Sequence, residues 1–260
     1  MREANPLVYS ETEEGPLRAH FFVPFNFEPD RKSPLILFLN GGFWDSSMPT
    51  QFVPQCYHFA NRGALAVSVE TRVQSTHGTG PVEAAEDLAK FLEWLAANKD
   101  ELAFDPERVV IAGASGGAFL ALQQVMPKLP KGSEPRPINP VGLILFSSLL
   151  DTTVPSIARR FPAKDRAKRM SPLRMMRRHL PPMLLCHGKS DRVTPFDNAR
   201  RFAKGMKWRG NKVTLVDYEN AEHSFFNLNV SELHYELTLR AADAFLVELG
   251  VLEPDDTVFD

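Results

Sequence analysis

Arg108-Val109-Val110-Ile111-Ala112-Gly113-Ala114-Ser115-Gly116-Gly117-Ala118-Phe119-Leu120-Ala121-Leu122-Gln123-Gln124 changes character at its centre. The first five residues are a short apolar, β-prone run, and the last seven are good helix formers. Between them a serine stands among glycines, the G-x-S-x-G pattern of a sharp strand-to-helix corner. A side chain at 113 or 117 would collide with the neighbouring strand or helix, so glycine is required at both. The turn projects the Ser115 hydroxyl above the sheet edge and leaves the Gly116 N–H at a helix N-terminus, where negative charge is stabilised. The motif is short and recurs by chance, so its weight comes from the strand before it and the helix after it.

Other apolar runs extend the pattern: Arg18 to Val23, Leu35 to Leu39, Ala64 to Val69, Val141 to Phe146, Met183 to Cys186 and Lys212 to Val216. Helical periodicity separates the later ones. Ala84, Leu88, Phe91, Leu92 and Leu95 share one face between Glu83 and Asn98. Phe196 to Trp208 is a shorter helix. Leu233, Leu237, Ala244, Phe245 and Leu249 mark the apolar face of a last helix that stops at Gly250. Continuous apolar strands alternating with amphipathic helices predict an α/β fold, with a mostly parallel central sheet covered by helices on both faces. The first strands have no helix between them and read as an antiparallel hairpin. With no repeat, linker or low-complexity tract, residues 1–260 read as a single domain.

Composition narrows the function classes. The formal charge of −2 favours neither nucleic acid nor a membrane surface as a partner. Only Cys56 and Cys186 occur, without metal-type or disulfide spacing, and Cys186 reads as a buried free thiol. No metal or other cofactor is implied. The N-terminal Met1 to Pro6 lacks the apolar core of a secretory signal, which points to the cytoplasm, although the same start would follow removal of a leader. Nothing in the sequence sets the oligomeric state. Residues 151–180 hold nine Lys or Arg against Asp151 and Asp165. This basic excursion reads as a solvated surface, or more sharply as a small lid, a basic rim near the site, or a partner contact.

A serine hydroxyl becomes a useful nucleophile only when a base takes its proton and a carboxylate orients that base. Two downstream segments follow strands and so reach the same sheet edge: His187-Gly188-Lys189-Ser190-Asp191-Arg192-Val193-Thr194-Pro195 and Asn220-Ala221-Glu222-His223-Ser224-Phe225-Phe226. Asp191 is the leading acid and His223 the leading base. His187 reads as a brace of the acid loop. His77 is a minor alternative base, and Asp197 and Asp217 are alternative acids. Upstream, Asn40-Gly41-Gly42-Phe43-Trp44 follows the strand at Leu35, and its glycines let backbone N–H groups turn toward an acyl oxygen.

From about Pro34 to Phe245 the chain resembles the α/β-hydrolase carboxylesterases, in particular the hormone-sensitive-lipase-like and bacterial acetyl xylan/feruloyl esterase branch. Asn40-Gly41-Gly42-Phe43-Trp44 stands for that family's H-G-G-G-W. Phe104-Asp105-Pro106-Glu107-Arg108, the Ser115 corner, and the Asp191 and His223 loops complete the likeness. The resemblance implies Ser115 as nucleophile, Asp191 as orienting acid, His223 as base, and an oxyanion hole from the N–H groups of Gly42, Phe43 and Gly116. Gly116 replaces the commoner alanine, a change expected to matter little. Phe43 in place of glycine has to point away and narrows the acyl pocket. Glu70-Thr71-Arg72 replaces D-Y-R, which bears on loop bracing rather than on the chemistry. Trp44 is expected either to pack in the core or to offer a face to a sugar ring. Only 34 residues precede Leu35, and much of that length reads as strand, so no large cap and an open site are expected.

The resemblance therefore implies a serine esterase acting on short-acyl small-molecule or carbohydrate esters. A serine exopeptidase of the prolyl-oligopeptidase type and a non-catalytic hydrolase-fold binding protein are the rival readings.

Overall fold

The computed structural model describes residues 6–25, 27–28 and 30–255. Met1 to Asn5, on which the expectation about the N-terminus rests, lie outside them.

Parallel strands with helical crossovers must be apolar on both sides, and the residues sort accordingly. In β3 (Ser33–Leu39), Leu35, Leu37 and Leu39 enter one core cluster while Ile36 and Phe38 enter the other. β5 (Phe104–Ala114) splits Val109 and Ile111 from Val110, Ala112 and Ala114 in the same way. β6 (Gly142–Phe146) and β7 (Met183–Gly188) continue the alternation, and β4 (Leu65–Val69) and β8 (Val213–Tyr218) flank them. The first cluster is covered by α3 (Pro81–Ala97), α4 (Gly116–Val125) and α8 (Phe196–Trp208). The second is covered by α1 (Val53–Asn61) and α9 (Glu232–Glu248).

The sheet order is β1-β2-β4-β3-β5-β6-β7-β8, parallel from β4 onward. This corrects the expected hairpin: β2 (Gly15–Phe22) does not pair with β3, because β4 lies between them. The antiparallel hairpin is instead β1 (Leu7–Thr12) with β2, turning at Gly15 with φ +127°. β1 escaped notice because it carries Ser10, Glu11 and Thr12 on a half-exposed edge, which weakens the apolar alternation. In α9 the buried residues are Thr238, Leu239, Ala242, Asp243, Phe245 and Leu246, whereas Leu233 and Leu237 are exposed. The helix is therefore rotated from the expected face, because the adjacent leucines fit two phases of a 3.6-residue period and the core accepts one.

Cys56 and Cys186 are both buried and free. Burial pushes the Cys186 thiol up to about 12 and Cys56 well above its ordinary value. Among the described residues no helix is long and apolar enough to cross a membrane.

The corner after β5 depends on contacts without side chains. A Cβ on Gly117 would lie 2.4 Å from the Leu39 carbonyl oxygen and 2.5 Å from that of Asn40; one on Gly113 would lie 2.6 Å from the Gly117 carbonyl carbon. These neighbours are backbone and cannot swing aside. Gly117→Ala is accordingly expected to lower stability by about 1–3 kcal/mol or more, read as an earlier urea midpoint with an unchanged slope. An unchanged midpoint would mean that α4 is not held against β3 as described.

Candidate active site

Ser115 sits between β5 and α4 with φ +50° and ψ −114°, a conformation that L-residues rarely adopt. Its N–H donates to the Phe146 carbonyl at 3.0 Å, and its own carbonyl accepts from Phe119 and Leu149. Both sides of the strained residue are thus pinned. The hydroxyl is buried without a hydrogen-bond partner, yet Ser115 lines a cleft of about 670 Å³ together with Gly42, Phe43 and His223. An unpartnered hydroxyl at a strained corner facing a cleft is free to meet a substrate.

His223 follows β8, and its Nδ1 lies 2.8 Å from Asp191 Oδ2 in the loop after β7. A carboxylate can only accept, so Nδ1 carries the proton and Nε2 keeps the lone pair needed of a base. Asp191 is buried. Burial alone would raise its pKa. Hydrogen bonds from His187 and His223, the charge His223 gains on protonation and the Thr194 N–H outweigh that and hold the carboxyl well below the usual carboxylate range. Asp191 is thus ionised at neutral pH.

The other acids and bases are engaged elsewhere. Asp217 makes an ion pair with Lys189 at 3.2 Å, and Asp197 pairs with Arg200 in the first turn of α8. His77 Nδ1 accepts the Val73 N–H at 3.1 Å within the short α2 (Gln74–His77). His187 is fully buried, with Nε2 2.7 Å from the Thr194 carbonyl and 3.3 Å from Asp191 Oδ2, and braces the acid loop.

Two residues missed in the sequence complete the network. The Thr194 hydroxyl lies 2.8 Å from Asp191 Oδ2, 3.0 Å from the Ser147 carbonyl and 3.1 Å from His223 Nδ1. Ser147, with φ +41°, donates its hydroxyl to the His223 carbonyl at 2.6 Å. Their signal was positional only: both follow strands at the edge that carries Ser115.

The Asn40–Trp44 loop brings one departure from expectation and decides two open points. First, the Gly116 N–H already donates to the Gly42 carbonyl at 3.1 Å, so it is not a free oxyanion donor in this conformation. To free it, the Gly42–Phe43 peptide must turn, and that same rotation carries the Phe43 N–H toward the vacated side. Glycine at 116 is what admits this closure, because a Cβ there would stand 2.2 Å from Gly42 O; the replacement of alanine therefore matters. Second, Phe43 is half-buried, packs against the core and lines the cleft it was expected to narrow. Third, Trp44 is 5% exposed, makes edge contacts with Phe119 and Phe161, and does not line the Ser115 cleft. Its apolar ring is more stable packed over Gly116 than facing water, which removes it as a substrate contact.

The bracing that Glu70-Thr71-Arg72 left at issue is present. Arg72 pairs with buried Asp87 of α3 at 2.8 Å, and Trp44 and Asp45 carbonyls accept from Gln74 and Ser75. The Gly41 N–H donates to Gln51 Oε1 at 2.6 Å.

The basic excursion forms α5 (Pro155–Ala158), α6 (Lys164–Met170) and α7 (Pro172–Met175). Ile157, Phe161 and Ala167 are buried in the core. Two of its cations turn inward: Arg177 donates to the Val125 and Met126 carbonyls at the end of α4, and Arg160 donates to the Phe43 carbonyl, pairs with Asp45 and lies 5.3 Å from the Phe43 ring centre.

Comparison with known proteins finds related families and folds. Residues 23–130 match a family model described as BD-FAE, and residues 141–247 match the prolyl oligopeptidase family. Esterase LipC of Mycobacterium tuberculosis is 26% identical, the alignment covering 76% of this chain and 54% of that protein. The probable isoprenylcysteine alpha-carbonyl methylesterase ICME of Oryza sativa subsp. japonica is 23% identical, covering 92% and 61%. The chain thus spans little more than half the length of these curated relatives. The apo form of Thermogutta terrifontis esterase 2 is 34% identical, covers 98% of each chain and superposes with a TM-score of 0.89. Its propionate-bound form gives 0.87 at 34% identity, covering 97% of each.

Two substitutions test the site. Asp191→Asn is expected to reduce turnover by roughly 10²–10⁴-fold by misorienting the imidazole, while Asp217→Asn stays close to the parent; the reverse order would reassign the acid. Gly116→Ala excludes the inward Gly42 carbonyl. If closure is held by one backbone hydrogen bond of about 1 kcal/mol, removing it is expected to raise kcat/KM up to about fivefold. A tenfold fall would identify the carbonyl position described here as that of the working enzyme.

Proposed function

The chain belongs to the α/β-hydrolase carboxylesterases of the hormone-sensitive-lipase-like family, and from that premise we propose that it is a serine hydrolase that cleaves short-acyl carboxylic esters through an acyl-enzyme. The observation that carries the reading is the pairing of Asp191 with His223 Nδ1 at 2.8 Å, beside a cleft that His223 shares with an unpartnered Ser115 hydroxyl. Ser115 Oγ attacks the acyl carbon as His223 Nε2 takes its proton. The tetrahedral oxyanion is received by the N–H groups of Gly42, Phe43 and Gly116 once the Gly42–Phe43 peptide has turned. His223 then protonates the departing alcohol. Water, deprotonated by the same nitrogen, attacks the acyl carbon, and Ser115 Oγ leaves with that proton.

Short acyl groups are favoured by Phe43, which stands against the cleft, and by the propionate- and butyrate-bound states of Thermogutta terrifontis esterase 2. Acetylated or feruloylated carbohydrate follows from the resemblance alone, since Trp44 offers no face to a sugar. The exopeptidase reading has the match over residues 141–247 in its favour, but the relatives described above are esterases.

Paraoxon, which phosphorylates Thermogutta terrifontis esterase 2, is expected to leave a diethylphosphoryl group on the Ser115 peptide. Ser115→Ala should escape labelling and lose ~10³-fold or more in kcat. Across p-nitrophenyl esters, acetate and butyrate should exceed octanoate in kcat/KM, and prolyl p-nitroanilides should remain uncleaved. An octanoate maximum would overturn the acyl preference. Labelling elsewhere would overturn the nucleophile, and efficient anilide cleavage would favour the peptidase. Acetate release from acetylated xylan and ferulate release from methyl ferulate decide the carbohydrate target.

A further inference from the structure

A second pocket, of about 450 Å³, opens beside the first. Phe43 and Val193 line both, and the Leu149 N–H, whose residue lines the second, donates to the Ser115 carbonyl at 3.2 Å. The second pocket therefore begins next to the nucleophile. Buried Leu149, Leu150 and Ile157 contribute apolar lining, and its charged lining is Arg159, Arg160 and Arg192 against Asp151 alone. Asp151 is engaged by Thr153, whose N–H and hydroxyl donate to Oδ1 at 2.9 and 2.6 Å.

The three guanidinium groups are not equivalent. Arg160 is held by Asp45 and the Phe43 carbonyl, yet its Nε–H is buried without an acceptor. A buried donor left unmade costs about 1–3 kcal/mol. Arg159 and Arg192 are exposed, come from different segments (the residue after α5 and the loop after β7), and among the described residues their guanidinium groups have no ion-pair or hydrogen-bond partner. Solvated arginines on an open face carry no message. Two unpartnered guanidinium groups lining the same apolar-walled pocket as Arg160, which is paired with Asp45 but keeps an unmet Nε–H, make an electropositive recess beside the Ser115 backbone whose donors match a carboxylate.

We propose that this recess is an anion subsite, so that the preferred esters carry a carboxylate near the scissile bond. The inference rests on the esterase reading above and deepens it. The carboxylate can belong to the acid or to the alcohol part of the ester; the chemistry of recognition is the same.

The experiment compares two pairs of esters at low salt: monoethyl succinate with ethyl butyrate for the acid part, and O-acetylglycolate with ethyl acetate for the alcohol part. At least one anionic ester is expected to exceed its neutral partner about tenfold in kcat/KM, chiefly through KM. The preference should shrink between ~50 mM and ~0.5 M salt, as screening of a solvent-accessible charge requires. Arg159→Gln and Arg192→Gln should each reduce the anionic-to-neutral ratio several-fold, and the double variant should bring it close to one. Calorimetry supplies a readout independent of turnover: succinate should bind the parent at least tenfold more tightly than the double variant, and the uncharged butyramide should not distinguish them. Equal rates within both pairs, or a preference that survives the double substitution, would overturn the subsite. A parent inactive on all four esters would instead overturn the esterase reading, while the succinate titration would still decide the subsite.

Discussion

Two peptide segments approach one another here more closely than any side chain allows. The backbone of α4 at Gly117 comes so near the Leu39 and Asn40 carbonyls that a methyl group would lie 2.4 Å from an oxygen. That contact fixes where α4 starts, and with it the positive φ of Ser115 and the direction of its hydroxyl. It also fixes where β3 ends and the Asn40–Trp44 loop begins. Ser115 and the Asn40–Trp44 loop are thereby set against each other through main chain alone, the stiffest material available for holding a side chain in place.

The Asp191–His223 pair reaches this point by a different route. Asp191 and His223 sit on loops after β7 and β8, and loops do not hold geometry by themselves. Here each is tied to its neighbour: Thr194 to Asp191, to His223 and to the Ser147 carbonyl, and Ser147 to the His223 carbonyl. His187 closes the ring from beneath. All these groups are polar and mostly buried, so each bond left unmade would cost more than it contributes when made. The network thus behaves as a rigid unit in which ionisation of Asp191 is enforced by its surroundings.

The basic excursion links these parts to substrate choice. It is sewn into the core by Ile157, Phe161 and Ala167, it grips the Phe43 carbonyl through Arg160, and it lines a recess next to Ser115. A segment packed in this way acts as a wall of the site. Its charge then bears on what enters, because a cation beside a partly apolar recess keeps more of its field than one in open water.

The amino-acid sequence by itself determined the parallel strands, the helices α3, α4, α8 and α9, and the glycine-flanked corner at Ser115. Each is written in local patterns: doubly apolar runs, helical periods, and glycines where a Cβ has no room. It misplaced features that depend on residues distant in the chain. That β4 inserts between β2 and β3 and that α9 turns Leu233 and Leu237 outward are outcomes of competition among apolar surfaces for one core. Thr194 and Ser147 carry no motif, and their roles exist only because parallel strands end side by side. The closure of Gly42 over Gly116 is more subtle still. Two glycines 74 positions apart show nothing in the sequence of the hydrogen bond between them, since whether a peptide faces one way or the other is decided by the space that folding leaves around it.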